Sequence, residues 1–443
     1  MSKYLPCNEN RLNEYMLKKG AQTMRDLGRG SLEVLNKSFL YDWGHEDNQC
    51  INNVMLLDET LRDGLQSNHV KIPTREQQLT LIENMERVGI EFLDIGYPQA
   101  NKRTFNDILF LLQYVNSLNI KPACAGRTVE SDITPIAKLQ QRSGVEIEGL
   151  LFIGVSRIRQ YVEGWDLDFI VRTTSKALRF AAREGIKATL VIEDATRAAP
   201  SVLGTLYELA IDEGIDRIAI CDTVGECTPA KVDNIIKWSR GVCRNRGVAM
   251  HFDWHGHNDR GLAVANSMQA IYSGCDRIHG TALGIGERAG NASMDGLITN
   301  LHLEGRNAGD VSKLSDYINC ASEILERTIP IDYPVFGDCV FNTASGIHAS
   351  AMLKAMRKQD DNIADYVYSS VPARKFGLSN RIEIGAMSGR ANVLYWLANN
   401  KLPEKEDTVE GILQHAKACR TVLTDQELFS LYQDLVSNRE GVL

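Results

Sequence analysis

The stretch with the clearest chemistry is His255-Gly256-His257-Asn258-Asp259, which closes an apolar run, Val248-Ala249-Met250-His251-Phe252-Asp253-Trp254. Strand side chains alternate between faces, so two histidines one residue apart share a face of an extended strand. Both imidazoles can then reach one metal ion, with a carboxylate supplied from elsewhere. By itself such a pair reads as two ordinary surface histidines. A second stretch changes the balance. Leu57-Asp58-Glu59-Thr60-Leu61-Arg62-Asp63-Gly64-Leu65-Gln66 also ends a strand, and it sets an acidic cluster beside an arginine.

The elements that position these stretches follow a rhythm that begins at Val54. Short apolar, β-rich runs occur at Val54–Leu57, Glu91–Ile95, Lys121–Ala125, Ile147–Ile153, Lys187–Ile192, Ile215–Ile220, Val248–Phe252 and Asp276–Leu283. Between them lie stretches of helical periodicity, among them Arg75–Val88, Phe105–Leu118, Leu167–Arg183 and Val202–Asp212. Eight strand–helix units over roughly 250 residues predict an α/β fold, a (β/α)8 TIM barrel. A doubly wound open sheet is the competitor, but no Gly-rich phosphate turn follows the first strand. Polar residues fall at the strand ends: Asp58, Glu59, Arg62 and Asp63; Arg127; Ser156; Glu193 and Asp194; Asp222 and Thr223; His255 and His257; then the turn Gly284–Asn291. Those ends share the face on which barrel enzymes place their chemistry.

Residues 1–50 read as an N-terminal extension, 51–330 as the barrel and 331–443 as a smaller, mostly helical C-terminal part contributing to a dimer and to the site. In that last part Leu394, Trp396, Leu397, Ile412, Leu413, Leu428, Leu431 and Leu435 are the expected core. The 443 residues carry 44% hydrophobic and 24% charged side chains, an ordinary globular balance. A formal net charge of −8 without a Lys/Arg run argues against a nucleic-acid surface. Ten scattered cysteines without a CxxC pair suggest neither a disulfide framework nor a zinc ribbon, and fit a reducing compartment. No leader and no membrane-spanning apolar run is read, so a cytoplasmic protein is expected.

With these motifs in view, residues 54–390 or so resemble the family of α-isopropylmalate, homocitrate and citramalate synthases and 3-hydroxy-3-methylglutaryl-CoA lyases. The anchors are Glu59–Gly64, Asp222-Thr223-Val224-Gly225, His255–Asp259, Gly284–Asn291 and Ser345-Gly346-Ile347-His348, five in family order. The isopropylmalate synthase branch is the most similar, in a short form lacking the leucine-sensing domain, which implies weak or different feedback control. That resemblance implies condensation of acetyl-CoA with a 2-oxo acid, 2-oxoisovalerate in that branch, at a divalent ion that is Mg, Mn or Zn. It makes Asp63, His255 and His257 metal ligands with Asn291 at or near the ion. Arg62 then steadies negative charge, although a plain salt bridge to Glu59 or Asp63 is the alternative. Thr223 binds the 2-oxo acid carboxylate, Glu193 lies beside the substrate side chain, and Glu287 lies near the acyl-CoA. His348 and Tyr366, with Tyr368 close by, come from the post-barrel region and reach a partner subunit's site, which implies a homodimer or larger assembly. The bland alternatives are an interdomain histidine and interface aromatics.

One departure bears on the substrate. Where isopropylmalate synthases usually carry a histidine after the fourth strand, this chain has Arg159, and an extra cation there would favour a dicarboxylic oxo acid. A lyase is the competing enzyme, but lyases usually end soon after the barrel, whereas this chain continues through Ser345-Gly346-Ile347-His348. A third reading, a barrel that has lost its chemistry and serves as a binding subunit, has Arg62, Asp63, His255 and His257 against it.

Overall fold

The computed structural model describes residues 54–306, 309–358 and 361–440. The extension expected at residues 1–50 lies outside them. Eight parallel strands close into a barrel in sequence order: β1 (Met55–Asp58), β2 (Phe92–Asp94), β3 (Lys121–Arg127), β4 (Glu148–Gly154), β5 (Lys187–Glu193), β6 (Arg217–Asp222), β7 (His251–Gly256) and β8 (Arg277–Gly280). Closure is made by β1 pairing with β8, Leu57 opposite His279 and Asp58 opposite Gly280. Local signals start the intervening helices. Thr74 and Gln77 form a capping box before Arg75–Arg87, Asp166 caps Leu167–Arg183, and prolines open Pro200–Asp212 and Pro229–Asn245.

The predicted barrel is therefore present, with one displaced strand. The apolar run Val248–Met250 is the link from the preceding helix, not the start of β7. Gly247, at φ +73°, turns the chain there, and the ladder begins only where His251 meets Arg217. The shift carries His255 onto the strand itself, with His257 just beyond it.

Alternation along the strands sorts two interiors. Phe252 and Trp254 of β7 face outward into the layer under the helices, where Tyr207 meets Phe252 edge-on at 5.9 Å. Asp253 and His255 point the other way, into the barrel. There Leu57, Ala123 and Leu150 form a small apolar cluster with Phe92 and Val191. Beside it lies an ionic layer. The guanidinium of Arg277, fully buried, donates to Asp253 at 2.6 and 2.8 Å and to Glu148 at 2.6 and 2.7 Å. Arg217 donates to the other Asp253 oxygen at 2.6 Å.

After the barrel, Tyr333 anchors the connecting segment by donating to the buried Asp295 carboxylate at 2.8 Å. A short parallel pair, β9 (Asn342–Thr343) and β10 (Arg381–Ile382), then leads to helices Arg390–Asn399, Glu406–Ala418 and Asp425–Glu440. All the core positions expected there pack together, around Trp396, Leu397, Ile412 and Leu428. Among the described residues no helix is long and apolar enough to cross a membrane.

Candidate active site

At the carboxyl ends of the strands a pocket of about 300 Å³ opens, lined by Glu59, Arg62, Asp63, Tyr97, Glu193, Thr223, His255, His257, His279 and Glu287 among others. Its floor joins β1, β7 and β8. His255 Nδ1 donates to Glu59 Oε2 at 2.6 Å and His257 Nδ1 donates to the Gly290 carbonyl at 3.1 Å. Those acceptors put a proton on each Nδ1, so each ring turns its Nε2 toward Asp63 Oδ2, at 3.8 and 3.6 Å. Both separations are too long for hydrogen bonds. Asp63 Oδ2 is buried without a hydrogen-bond partner among the described residues, and so is Asn291 Oδ1. Asn291 stands opposite His257 in an antiparallel bridge, its amide nitrogen donating to Ile285 O at 3.1 Å. Two imidazole lone pairs, one buried carboxylate oxygen and one buried amide oxygen are the donor set that a divalent cation takes.

Burial, then the neighbouring His255, lowers the His257 pKa to about 4, which keeps its ring neutral and able to ligate at neutral pH. Two glycines make the approach possible. A Cβ on Gly225, at φ +58°, would stand 2.7 Å from the His257 carbonyl, and one on Gly290, at φ +88°, would stand 1.9 Å from the Gly284 carbonyl.

Arg62 is held by three carboxylates: Asp94 at 2.6 Å, Glu59 at 2.7 Å and Asp63 at 3.0 Å. It nonetheless lines the pocket with 18% of its side chain exposed, so its charge is both fixed and presented to a ligand. Burial alone would raise the Glu59 carboxyl, yet His255, Arg62 and His279 hold it well below its ordinary value. His279 joins Glu59 at 3.1 Å to Asp253 at 3.1 Å, linking the mouth to the ionic layer. Thr223 Oγ1 accepts from the Asp194 amide at 2.8 Å while lining the pocket, and Glu287 lies exposed at its rim.

The remaining expected site residues fall elsewhere. Arg159 is not in the pocket lining. Its guanidinium lies 3.1 Å from Glu193 and 3.0 Å from Glu163, so Glu193 stands between it and the pocket. Burial raises the Glu193 pKa, which Arg159 only partly offsets. His348 sits on the helix Gly346–Arg357, and its ring stacks on Tyr368 with centroids 3.8 Å apart. Both line a separate cleft of about 80 Å³ with Asp365 and Asn380. Tyr366, the tyrosine favoured from sequence, ends the helix Asp361–Tyr366 and does not line that cleft. The chain leaves the helix there, and it is the second residue beyond, Tyr368, that meets His348.

Sequence reasoning missed Glu59 as the hub, and His279 altogether. The signal was available in the two-residue spacings Asp253–His255 and Arg277–His279, which mark inward positions of a barrel strand.

Comparison with known proteins agrees with this fold. The profile of the HMGL-like family matches residues 53–321, more than half of the chain. The chain belongs to the HMGL-like family. Relatives of this HMGL-like chain include a probable 2-isopropylmalate synthase of Ignicoccus hospitalis, 28% identical over 87% of this chain and 93% of its own length. A homocitrate synthase of Pyrococcus abyssi is also 28% identical, over 84% of this chain and 98% of its own. Among solved structures, the HMG-CoA lyase of Bacillus subtilis superposes with a TM-score of 0.53 at 19% identity, covering 63% of this chain and 96% of that one. At that identity the likeness concerns the fold.

The His279 linkage carries a stability prediction. Burial opposes its charge, but Glu59 and Asp253 raise its pKa to about 9 from an ordinary 6.5. A raised pKa adds stability that is complete below pH 6.5 and is lost as pH rises through 9, on the order of 2–3 kcal/mol for a buried group. Urea midpoints of the metal-free protein at pH 6.5 and 9.5 should differ accordingly, and the difference should shrink in His279→Gln. An equal pH dependence in that variant would exclude the linkage.

Proposed function

We propose that this chain is a divalent-metal-dependent synthase that condenses acetyl-CoA with a 2-oxo acid, releasing CoA. The observation that carries the reading is the convergence of two imidazole Nε2 atoms on Asp63 Oδ2, which has no hydrogen-bond partner among the described residues, beside the fixed guanidinium of Arg62. Asp63, His255 and His257 would hold the ion, with Asn291 Oδ1 as a further donor. When bound, such an ion supplies Lewis acidity toward the keto group of the oxo acid. Arg62 places a permanent positive charge where an oxyanion or enolate develops. Thr223 offers its hydroxyl proton to the substrate carboxylate, since that oxygen already accepts from the Asp194 amide. Glu287 stands at the rim where a thioester would enter.

The best-supported oxo acid is 2-oxoisovalerate, making the product 2-isopropylmalate. Leu150, Phe152 and Val191 give the pocket an apolar wall that suits a branched side chain. The cation of Arg159, which from sequence pointed toward a dicarboxylate, is paired with Glu163 and Glu193 and leaves no free charge in the pocket. Citramalate and homocitrate synthesis are the readings next in line, and a lyase of the hydroxymethylglutaryl type follows. His348 remains a candidate for the proton removal that condensation requires. Because its cleft is separate from the barrel mouth, that role needs a second copy to bring it there, which is why we read the active form as a homodimer or larger.

The test is CoA release from acetyl-CoA, read by thiol titration, with metal and a panel of 2-oxoisovalerate, pyruvate, 2-oxobutyrate, oxaloacetate and 2-oxoglutarate. Release with 2-oxoisovalerate is expected, and silence across the panel would exclude a synthase. Arg159→Ala should change kcat/KM for the preferred acid by less than about tenfold, as for a partly exposed ion pair. A switch in the preferred acid in that variant would restore Arg159 as the specificity residue.

A further inference from the structure

Glu59 has no ligand or substrate role in the reading above, yet it is among the most heavily contacted side chains of the mouth. It is 2% exposed, and three donors converge on it: His255 on Oε2 at 2.6 Å, Arg62 on Oε1 at 2.7 Å and His279 on Oε1 at 3.1 Å. We infer that Glu59 is a positioning residue of the metal centre, setting which nitrogen of His255 faces Asp63 and aligning Arg62 beside it. The inference rests on reading Asp63, His255 and His257 as ligands.

The argument is one of donors and acceptors. An ionised carboxylate only accepts, and both of its oxygens are engaged here. Oε2 therefore compels His255 Nδ1 to carry a proton, so that the neutral ring has its Nε2 lone pair toward Asp63. Oε1 meanwhile anchors Arg62, whose NH1 reaches Asp63 Oδ1 at 3.0 Å and so leaves Asp63 Oδ2 free to face the imidazoles. His257 receives its orientation from a backbone carbonyl, which no side-chain replacement removes. Among the described residues, His255 makes its side-chain hydrogen bond to Glu59 alone. A glutamine at this position is isosteric but carries one oxygen and one NH2. If the NH2 faces His255, Nδ1 must become the acceptor and Nε2 takes the proton, which blocks ligation. If it faces the other way, it meets the guanidinium of Arg62 and the ring of His279, donor against donor.

The experiment compares wild type with Glu59→Gln, both stripped of metal. Mn2+ and Zn2+ are titrated by calorimetry, and 15N–1H spectra of labelled histidines are recorded on the metal-free proteins. The expected result is a roughly 10–100-fold weaker metal affinity in the variant, the range for losing an outer-shell partner, together with loss of the Nδ1–H signature of His255. Unchanged affinity with an unchanged spectrum would overturn the inference. So would weaker affinity with an unchanged spectrum, since the loss would then be one of charge and not of orientation. If wild type binds neither ion, the metal reading fails instead, and the histidine spectra still decide whether Glu59 sets the tautomer. Should Glu59→Gln fail to fold, Glu59→Asp, which keeps the charge but shortens the reach, takes its place with the same two readouts.

Discussion

His257→Ala is expected to lose metal binding and to cut turnover by on the order of 10³-fold or more, while the barrel stays folded. A bound cation acting as a Lewis acid is worth several kcal/mol of transition-state stabilisation, and each 1.36 kcal/mol is tenfold in rate. Among the described residues His257 donates to no side chain: its Nδ1–H meets the Gly290 carbonyl, and its Nε2 faces Asp63 without bonding to it. Truncation therefore leaves no ion pair broken within the apo protein, and the cost falls on the ligand set. Metal content after dialysis, CoA release and a far-UV spectrum together measure this. Full activity in metal-free His257→Ala protein would sink the proposed mechanism.

Arg277→Leu is expected to show the largest loss of stability among single substitutions in the barrel interior, about 3–5 kcal/mol, the range for removing one partner of a buried ion pair. The guanidinium is fully buried, bridges Asp253 and Glu148, and lies 4.6 Å over the ring of Phe92. Without it the Glu148 carboxylate keeps only the hydroxyl of Thr189 as a side-chain partner among the described residues, and Asp253 leans on Arg217 and His279. Arg277→Lys should lose less, because the charge remains while the fork that reaches both acids does not. Urea midpoints read both variants. A change below about 1 kcal/mol in Arg277→Leu would show that the interior acids are satisfied without it.

Much of this arrangement was legible before any coordinates. The eight apolar runs located the strands, because a parallel barrel strand buried on both sides needs no alternation to betray it. His255 and His257 could be paired because residues two apart share a strand face, and the family resemblance added Asp63 to them. The displaced start of β7 was not legible: Val248–Met250 is apolar enough for a strand, and only the pairing of His251 with Arg217 shows where the ladder begins. Nor was the hub at Glu59. In sequence it reads as one more acid near Arg62, and only the pairing of β1 with β8 brings His279 to its side. Charges inside a barrel resemble loop charges until closure places Glu148, Asp253 and Arg277 together. The choice between Tyr366 and Tyr368 turned on where a six-residue helix stops, and helix ends are the weakest part of any pattern reading.

The barrel and the helical end keep separate hydrophobic cores, one around the strands and one gathered on Trp396, Leu397 and Ile412. Between them, Val335, Phe336, Val371, Phe376 and Leu378 pack against the barrel core, and Ala349, Met352 and Ile382 form a further small cluster. The consequence is thermodynamic. The helical core is expected to open separately from the barrel core, and the urea midpoints above refer to the barrel's transition. Opening of the helical end would expose the buried Trp396 while leaving Asp63, His255 and His257 in place. With Trp43, Trp165, Trp238 and Trp254 replaced by Phe, the fluorescence of Trp396 and metal retention at the proposed site are expected to report different transitions of one molecule.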